Sequence, residues 1–411
     1  YTAFDAILPN YNVSRTGYNE SDLTDYRAAN TKIDFSFHLR PLGDERLEVI
    51  WQSKFGFGNA VYQGANRYYL NNFYMSQHKL EFKGKNFFVR GYTTTEDGGE
   101  SYDMQFTAWN VNNKWKDNSV WFGEYAGAYV TATLAGQTPE NAHIISRGVA
   151  DTGRFLPGTP EFKNAFNQVI ADPNILTGSK LVDNSRIYHS DANYNFKDII
   201  KFGEIQVGGS YRQYQLNSFG RIYTDANSLI DYDEYGVYAQ LQKKLMDDRL
   251  KFTGSVRYDK AKNFDGNYSP RVSLVYSGGE KKQHNIRASF QTGFRNPSTQ
   301  DQYIGFNVGP AVLVGSAPDN LLRYTETRNV SAGLGQVFAG GATTVLTGEN
   351  AYYNSYTETS VRAFGATGNS ALLKKTNVGL VKPEEVKAFE LGYRSQYKDV
   401  NIDINGYYNI Y

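Results

Sequence analysis

Apolar and polar residues alternate along many segments of this sequence. Between Leu250 and Tyr258, every second position carries Leu, Phe, Gly, Val or Tyr, and Lys, Thr, Ser and Arg lie between them. The segments 33–40, 205–212, 268–276 and 400–405 repeat this pattern. Because successive side chains of a strand point to opposite faces, the pattern predicts strands with one apolar and one polar face. Their length of about nine to eleven residues suits a membrane crossing better than a soluble sheet.

The connections between these predicted strands alternate in length. Short turns are predicted at 41–45, 83–86, 197–198, 246–248, 277–282, 339–341 and 397–399. Long connections are predicted at 56–74, 113–185, 217–231, 294–324 and 357–385. Outer-membrane barrels have short turns on one side and long loops on the other, whereas a soluble sandwich has no reason to sort its loops. We therefore predict an all-β fold, a transmembrane antiparallel β-barrel with about fifteen strands in this chain.

The longest connection raises a problem of direction. If Tyr102–Asn112 is a strand, some element within residues 115–135 must cross back before the next strand. Trp121, Tyr125 and Tyr129 are spaced for a helix, but we interpret this segment as a strand because of the crossing that it would supply. A helix is predicted after Thr159, since Thr suits an N-cap and the following Pro suits the first helical turn. It would lie in an extracellular loop.

Composition narrows the class of protein only moderately. Aromatic residues make up 15% of the chain, which fits pleated, half-buried surfaces of either a barrel or a soluble β-domain. The net charge of +1 gives no basic stripe, so nucleic acid is not an expected partner. There are no cysteines, which excludes disulfides and thiol chemistry. No run of 18 apolar residues occurs, so no transmembrane helix is predicted.

The sequence carries none of the common motifs of catalysis. It has no nucleophile elbow, P-loop, zinc-binding H-E-x-x-H or dinucleotide fingerprint, and its five histidines have no ligand spacing. We predict neither an enzyme nor a cofactor. In the acidic turn 96–100, Asp97 and Glu100 are candidate Ca²⁺ ligands by chemistry. The spacing of an EF-hand is absent, so a solvated loop tip is the simpler interpretation and no metal is predicted.

Two groups of residues are candidates for contact with a ligand or with another domain. The first occupies the polar strand faces and would line a wet lumen or contact a plug: Glu204, Arg212, Gln240, Arg257, Arg271, Arg287, Glu390 and Arg394. In a soluble sandwich the same residues would form the solvated face. The second is aromatic and belongs to the first long connection: Tyr62, Tyr68, Tyr69, Phe73 and Tyr74. These rings could stack on a ligand such as a sugar, or form the upper aromatic belt of a barrel.

Three motifs resemble one known family. The segment Thr292–Ser298 (TGFRNPS) resembles the T-G-F-R-x-P-S segment of TonB-dependent receptor barrels. Val381–Glu384 and then Glu390–Tyr393 are similar to the L-K-P-E…E-x-G block of that family, with Val in place of the commoner Leu. Tyr235–Gln240 resembles a strand that precedes a short periplasmic turn. The motifs occur in the family's order within residues 230–410.

The resemblance implies more than the pattern does. It implies a barrel of about 22 strands closed by an N-terminal plug, in the outer membrane of a Gram-negative-type bacterium. Members bind scarce nutrients, such as metal chelates, vitamins or glycans, at their extracellular loops. Implied partners are outer-membrane lipid, a TonB-type energy-coupling complex that pulls on an N-terminal segment and, for glycan importers, a surface lipoprotein. We expect residues 1–411 to be a barrel fragment without the plug and the C-terminal strands.

Two other functions stay open at this stage. One is a passive porin-like channel, and the other is a soluble β-rich domain that binds glycans or acts as an adhesin. The soluble alternative would need polar residues on the outward faces. Leu250, Phe252, Val256, Ile402 and Ile404 argue against it.

Overall fold

The computed structural model describes residues 7–8, 12–64, 66–307 and 312–411. The strands of this part are, in chain order, β1 (Ala29–Leu39), β2 (Glu48–Gln63), β3 (Arg67–Lys83), β4 (Phe87–Asp97), β5 (Tyr102–Asp103), β6 (Arg186–Asn195), β7 (Glu204–Leu216), β8 (Ile230–Leu245), β9 (Leu250–Ala261), β10 (Phe264–Gly278), β11 (His284–Arg295), β12 (Gly305–Asn307), β13 (Val312–Val314), β14 (Thr325–Asn329), β15 (Thr343–Thr347), β16 (Glu384–Tyr397) and β17 (Val400–Ile410). The helices are α1 (Glu20–Leu23), α2 (Met104–Trp115), α3 (Asn118–Leu134), α4 (Pro139–Ala150), α5 (Pro160–Ala171), α6 (Thr299–Tyr303), α7 (Pro318–Arg323), α8 (Leu334–Ala339), α9 (Gly348–Tyr353) and α10 (Glu358–Thr367). Two 3₁₀ turns lie at Phe196–Asp198 and Ser370–Leu372.

Most strands belong to one antiparallel sheet. Its path runs β1-β2-β3-β4-β6-β7-β8-β9-β10-β11-β16-β17, and β5 pairs with β3 beside this path. Within the described residues, β1 and β17 are paired on one side only. The predicted all-β fold is confirmed. The path holds fewer strands than the predicted number of about fifteen, because several segments that we had assigned to the barrel fold differently.

The long connections lie at one end of the sheet, as predicted, although the short connections β2–β3 and β9–β10 are also at that end. One end has short turns, at 40–47, 84–86, 196–203, 246–249, 279–283 and 398–399. The long connections 98–185, 217–229 and 296–383 all lie at the other end, which we call the loop end. The predicted long connection at 56–74 is wrong, because β2 and β3 continue through it and remain paired up to Gln63 and Arg67.

The register gives the main sheet one apolar face. One row across six strands consists of Leu241, Gly254, Val272, Phe290, Phe389 and Tyr408. The face stays open to the surroundings, with Val256 46% and Leu391 63% exposed. At its loop end, the rings of Tyr258 and Tyr268 lie 4.9 Å apart. An exposed apolar band bordered by tyrosines is what a lipid-facing barrel surface requires.

The predicted strand over Tyr102–Asn112 is wrong. Only Tyr102 and Asp103 are extended, and α2 begins at Met104. The Asp103 carboxylate accepts hydrogen bonds from the backbone N–H groups of Gln105 (2.8 Å) and Phe106 (3.0 Å), which is an N-cap. Alternation suggested a strand because residues 102, 104, 106 and 108 alternate with polar ones. The buried residues of this segment instead lie on one side of a helix.

Residues 115–135 were also misread. They contain α3, in which Trp121, Tyr125 and Tyr129 are all buried. No strand needs to cross back, since β4 is followed in the sheet by β6 and the direction problem disappears. The helix predicted after Thr159 is confirmed as α5, and the Thr159 hydroxyl accepts from the N–H of Phe162. We call the helical connection 98–185 the cap.

The cap has small cores of its own. Val111 of α2 packs with Phe162 and Val169 of α5 and with Leu23 of α1. A second cluster joins Trp121 and Tyr125 of α3 to α4. None of the helices in the described ranges is long and apolar enough to cross a membrane.

The predicted turn 339–341 does not join two barrel strands. β14 and β15 pair only with each other, over Thr325–Asn329 and Thr343–Thr347. Gly333 and Gly340 have φ of 87° and 70°, so the extended chain is broken on both sides of α8. The segment therefore forms a small hairpin within the connection 296–383.

Candidate functional site

The eight polar-face candidates share one face of the main sheet. One register row contains Gln206, Gln240, Ser255, Arg271 and Gln291, and the other candidates lie in rows of the same parity. Charges of both signs face each other there. Arg287 lies 3.4 Å from Glu390, and Arg212 lies 3.7 Å from Glu234. Contact of these residues with a plug stays a prediction.

This polar face is the one that a loop-end connection covers. Tyr232 lies on it, in the same row as Tyr214. Both pack into a buried cluster with Tyr303 of α6, and the Tyr232 and Tyr303 ring centroids are 6.1 Å apart. The connection 296–383 thus folds over the polar face and not over the apolar one.

A cavity of about 380 Å³ lies where the connections meet at the loop end. We call it the mouth cavity. Its lining comes from the β2–β3 hairpin, from the cap and from the connections 217–229 and 296–383: Tyr62, Gly64, Tyr68, Leu70, Phe73, Gly98, Ser101, Leu181, Asp183, Ile222, Tyr223, Gln300, Ile304 and Phe306. None of the eight polar-face candidates belongs to this lining.

A bulge in β3 determines which aromatic side chains of the β2–β3 hairpin face the mouth cavity. Gly58 pairs with Phe73, but Ala60 pairs with Leu70, so β3 has one extra residue there. Asn72 at the bulge has φ of 52°, and its N–H donates to Asn59 Oδ1 at 2.8 Å. Because side chains alternate along a strand, the extra residue exchanges the faces of the β3 residues above it.

The bulge divides the five aromatic candidates. Tyr62, Tyr68 and Phe73 line the mouth cavity, and the rings of Tyr62 and Tyr68 are stacked with centroids 6.2 Å apart. Tyr69 turns the other way and is buried against Tyr102 of the cap, at 5.6 Å. Tyr74 lies on the apolar face, in register with Phe57, where a belt tyrosine belongs. Ligand contact stays a prediction for the first three only.

Sequence reasoning missed the other half of the cavity. Tyr223 and Ile304 are joined by an isolated antiparallel bridge, and the Thr224 N–H donates to the Tyr303 carbonyl at 3.1 Å. These contacts hold two connections together that are far apart in the sequence. The Thr292–Ser298 motif contributes here, since Ser298 caps α6 by accepting from the N–H of Asp301 at 3.1 Å. The α6 segment then carries Gln300 and Ile304 into the lining.

The polar part of the mouth cavity is acidic. Asp183 accepts from the Ser185 N–H at 3.0 Å, and its carboxyl is hydrogen-bonded to that of Glu96. Burial raises the pKa of Asp183, and the nearby charge of Asp225 acts in the same direction. Burial, and then the charge of Asp183, also raise the pKa of Tyr223. The cavity therefore combines aromatic faces, a carboxyl acceptor and a phenol that stays protonated, and no Lys or Arg is among its described lining.

The candidate Ca²⁺ ligands form a turn. Asp97 Oδ1 accepts from the Gly99 N–H at 2.8 Å, and Glu100 Oε2 accepts from the side-chain amides of Asn71 and Asn72. In the described ranges, no group of three or more His, Asp or Glu side chains is placed to hold a metal ion.

Solved structures that resemble this chain include two receptors and one transporter, all at low sequence identity. A variant of the ferric enterobactin receptor of Pseudomonas aeruginosa, in complex with enterobactin, is 13% identical with a TM-score of 0.49, and the match covers 96% of this chain and 45% of that one. The siderophore receptor PirA of the same organism is 10% identical with a TM-score of 0.47, and the match covers 93% of this chain and 46% of that one. The FrpB iron transporter of Neisseria meningitidis is 10% identical with a TM-score of 0.42, and the match covers 93% of this chain and 44% of that one. This chain thus spans less than half the length of these structures.

The family is established by the sequence itself. No curated protein matches the chain. The profile of the family described as "TonB dependent receptor-like, beta-barrel" matches residues 4–411. Members of that family are transporters of the Gram-negative outer membrane and not enzymes. The chain therefore belongs to the TonB-dependent receptor-like β-barrel family and is a protein of the outer membrane.

Proposed function

We propose that this chain is the barrel part of an energy-coupled importer that binds a scarce nutrient and passes it to the periplasm. Residues outside the chain would supply the plug and the segment on which a TonB-type complex pulls. Family membership supports import in general. The mouth cavity is the observation that supports a binding step at the loop end.

Several features of the mouth cavity favour ligand capture. Its volume lies within the roughly 300–1,000 Å³ that is usual for small-molecule sites. Tyr62, Tyr68 and Tyr223 offer ring faces for stacking. The Asp183 carboxyl can accept a hydrogen bond from the ligand. A compound with a flat ring and hydrogen-bond donors could stack on the tyrosine rings and donate to the Asp183 carboxyl.

The surroundings fit this role. The apolar face would contact outer-membrane lipid, and the interior wall of mixed charge would stay wet or contact the plug. A surface lipoprotein partner stays a prediction of the family resemblance alone, since no described contact points to one.

Co-purification with the full-length protein tests the binding step. The protein would be incubated with spent growth medium of its host and washed, and the retained compounds would be identified by mass spectrometry. Replacing Tyr68 and Tyr223 together with Ala should reduce retention at least tenfold, because both rings line the cavity. The matched control is Tyr74→Ala on the apolar face, which should retain the same compounds. Equal retention by both variants would place the binding step elsewhere.

A second measurement separates import from passive flow. Uptake of the retained compound into whole cells should stop when a protonophore collapses the energy supply. Uptake that continues at the same rate would support the porin-like alternative instead.

A further inference from the structure

A second cavity, of about 530 Å³, lies in the cap. We call it the cap cleft. It opens between the N-terminal segment 14–18 and α2, and Phe122 of α3 and Leu176 border it. It shares no lining residue with the mouth cavity.

One wall of the cap cleft is aromatic and partly open. Trp109 of α2 is 46% exposed although it lies in the wall of a cavity. The neighbouring Phe106 meets it edge to face, with ring centroids 5.2 Å apart, and fixes its orientation. Phe122 is 41% exposed nearby. An indole that is held in place with a free face is a stacking platform for a flat or ring-shaped ligand.

The lining of the cleft also carries side-chain amides that Arg15 orients. One Nη atom of Arg15 donates to Asn113 Oδ1 at 3.2 Å and to Asn118 Oδ1 at 2.6 Å. The amide oxygens therefore point at the guanidinium. The Asn113 NH₂ group gives one N–H to Asn110 Oδ1 at 3.5 Å, and its second N–H and the NH₂ group of Asn118 are left as donors on these two exposed residues. Arg15 itself is held over the rings of Trp115 and Trp121, at 5.5 and 5.8 Å.

The charge of the cleft narrows the chemistry of its ligand. No carboxylate is among the described residues that line it. Among the described lining residues Arg15 alone is charged, and its Nη atoms are already engaged by Asn113, Asn118 and the Asn112 carbonyl. An anion would have to displace these contacts, and a cation would meet the guanidinium. An uncharged compound that offers oxygen acceptors needs no rearrangement.

We infer that the cap cleft is a second binding site, for an uncharged, oxygen-rich ring compound of the pyranose-sugar class. The ring would stack on Trp109, and its oxygens would accept hydrogen bonds from the amides of Asn113 and Asn118. The site is independent of the mouth cavity and of any transport step.

Saturation-transfer NMR on the full-length protein, in a detergent without a sugar headgroup, tests this inference. The probes are four neutral tetrasaccharides, of β-glucose, α-glucose, β-galactose and α-mannose, and tetragalacturonate as the acidic counterpart. At least one neutral probe should receive magnetisation from aromatic protons, and tetragalacturonate should compete at least tenfold less well. Transfer to none of the neutral probes, or equal competition by the acidic one, would overturn the inference.

Variants locate the site. Trp109→Ala should weaken binding of the neutral probe at least tenfold, and Trp109→Phe should restore most of it because an aromatic face returns. Replacing Asn113 and Asn118 together with Ala should weaken binding to a similar extent. Tyr223→Ala in the mouth cavity is the matched control and should leave this binding unchanged. Helix content by circular dichroism shows whether each variant is folded, and undiminished binding by folded Trp109→Ala would exclude the site.

Discussion

The mouth cavity and the cap cleft are lined by similar numbers of aromatic rings but have opposite polar chemistry. In the mouth cavity the ionisable acid of the described lining is the Asp183 carboxyl, with Glu96 beside it, and a carboxyl accepts hydrogen bonds when it is ionised. In the cap cleft they are amides, whose oxygens face Arg15 so that their N–H groups face outward. The aromatic rings give both sites affinity for flat surfaces, and the polar groups determine which compound suits each one.

The two sites also differ in how the chain builds them. The mouth cavity depends on contacts between connections that are distant in sequence, such as the bridge from Tyr223 to Ile304. The cap cleft depends on helices with their own cores and caps, and only the segment 14–18, which carries Arg15, arrives from a distant part of the chain. A substitution that disrupts only the contacts of one site should therefore leave the other site intact. The following predictions test that separation, from the largest expected effect to the smallest.

Trp121→Ala should damage the cap and spare the mouth cavity. The ring is fully buried, lies stacked on Tyr125 at 5.3 Å and donates from Nε1 to Asp151 at 2.9 Å. Its removal should cost about 3–5 kcal/mol of local stability, as is usual for a buried Trp. Hydrogen exchange should rise in α3 and α4 but not in residues 217–229. The control Trp109→Ala, at a half-exposed ring, should cost much less, and faster exchange throughout both regions would contradict the separation.

Asp103→Ala should affect both sites, because α2 lines the cap cleft and also contacts the lining of the mouth cavity. The carboxylate caps α2, and Phe106 in the first turn meets Phe306 of the mouth cavity at 6.5 Å. Loss of an N-cap costs about 0.5–2 kcal/mol. Asp103→Asn keeps an accepting oxygen, so it should cost only about a few tenths of a kcal/mol. Circular dichroism and thermal unfolding measure both, and equal losses for Ala and Asn would show that capping is not the cause.

Only the mouth cavity should respond to pH through Asp183. A carboxyl whose pKa is raised in the folded state binds its proton more tightly there than in the unfolded chain. The packed connections around the mouth cavity are therefore most stable at low pH. They lose stability as the pH rises from 3.8, the ordinary pKa of an Asp carboxyl, through the raised pKa that Asp183 has in the folded protein. Protease cleavage within 217–229 should accelerate over that window. Asp183→Asn should flatten the profile, and an unchanged profile in that variant would assign the response to another group.

Arg287→Ala should change neither site measurably. The guanidinium lies 3.4 Å from Glu390 and 3.6 Å from Asp403 on the interior wall. Its exposure keeps such pairs near 0–1 kcal/mol, about the range for surface ion pairs. Thermal unfolding and both binding assays should match the unsubstituted protein. A large loss would mean that the interior wall transmits strain to the loop end.

The sequence specified the strands well because alternation is a local signal. Segments such as 250–258 show it without help from distant residues, and the register then follows from keeping all the apolar rows on one face. Alternation failed at Tyr102–Asn112, where Tyr, Met, Phe and Ala also recur at every second position. Burial there follows a helix, with Phe106, Thr107, Asn110 and Val111 inside. Nothing local distinguishes the two until the cap is packed.

The candidate sites were harder to predict than the fold. Tyr62 and Tyr68 were recognisable as aromatic residues near a loop, but Asp183, Tyr223 and Phe306 become neighbours only through contacts between connections. In the cap cleft, the segment Trp109–Asn113 (WNVNN) is visible as an unusual run. Its meaning depends on Arg15, almost a hundred residues earlier, which settles the direction of the amides.

The bulge at Asn72 has a consequence for the evolution of this protein. Deleting one residue there would make the pairs Ala60–Leu70 and Val61–Tyr69 continue the register of Gly58–Phe73, so that Tyr68 would still face the mouth cavity and Tyr69 would still face the cap. The strand below the bulge, from Phe73 onward, would keep its register and its apolar face. Gain or loss of a single codon at this position could thus change the length of β3 while the aromatic ring presented to a ligand and the membrane-embedded wall are both inherited unchanged.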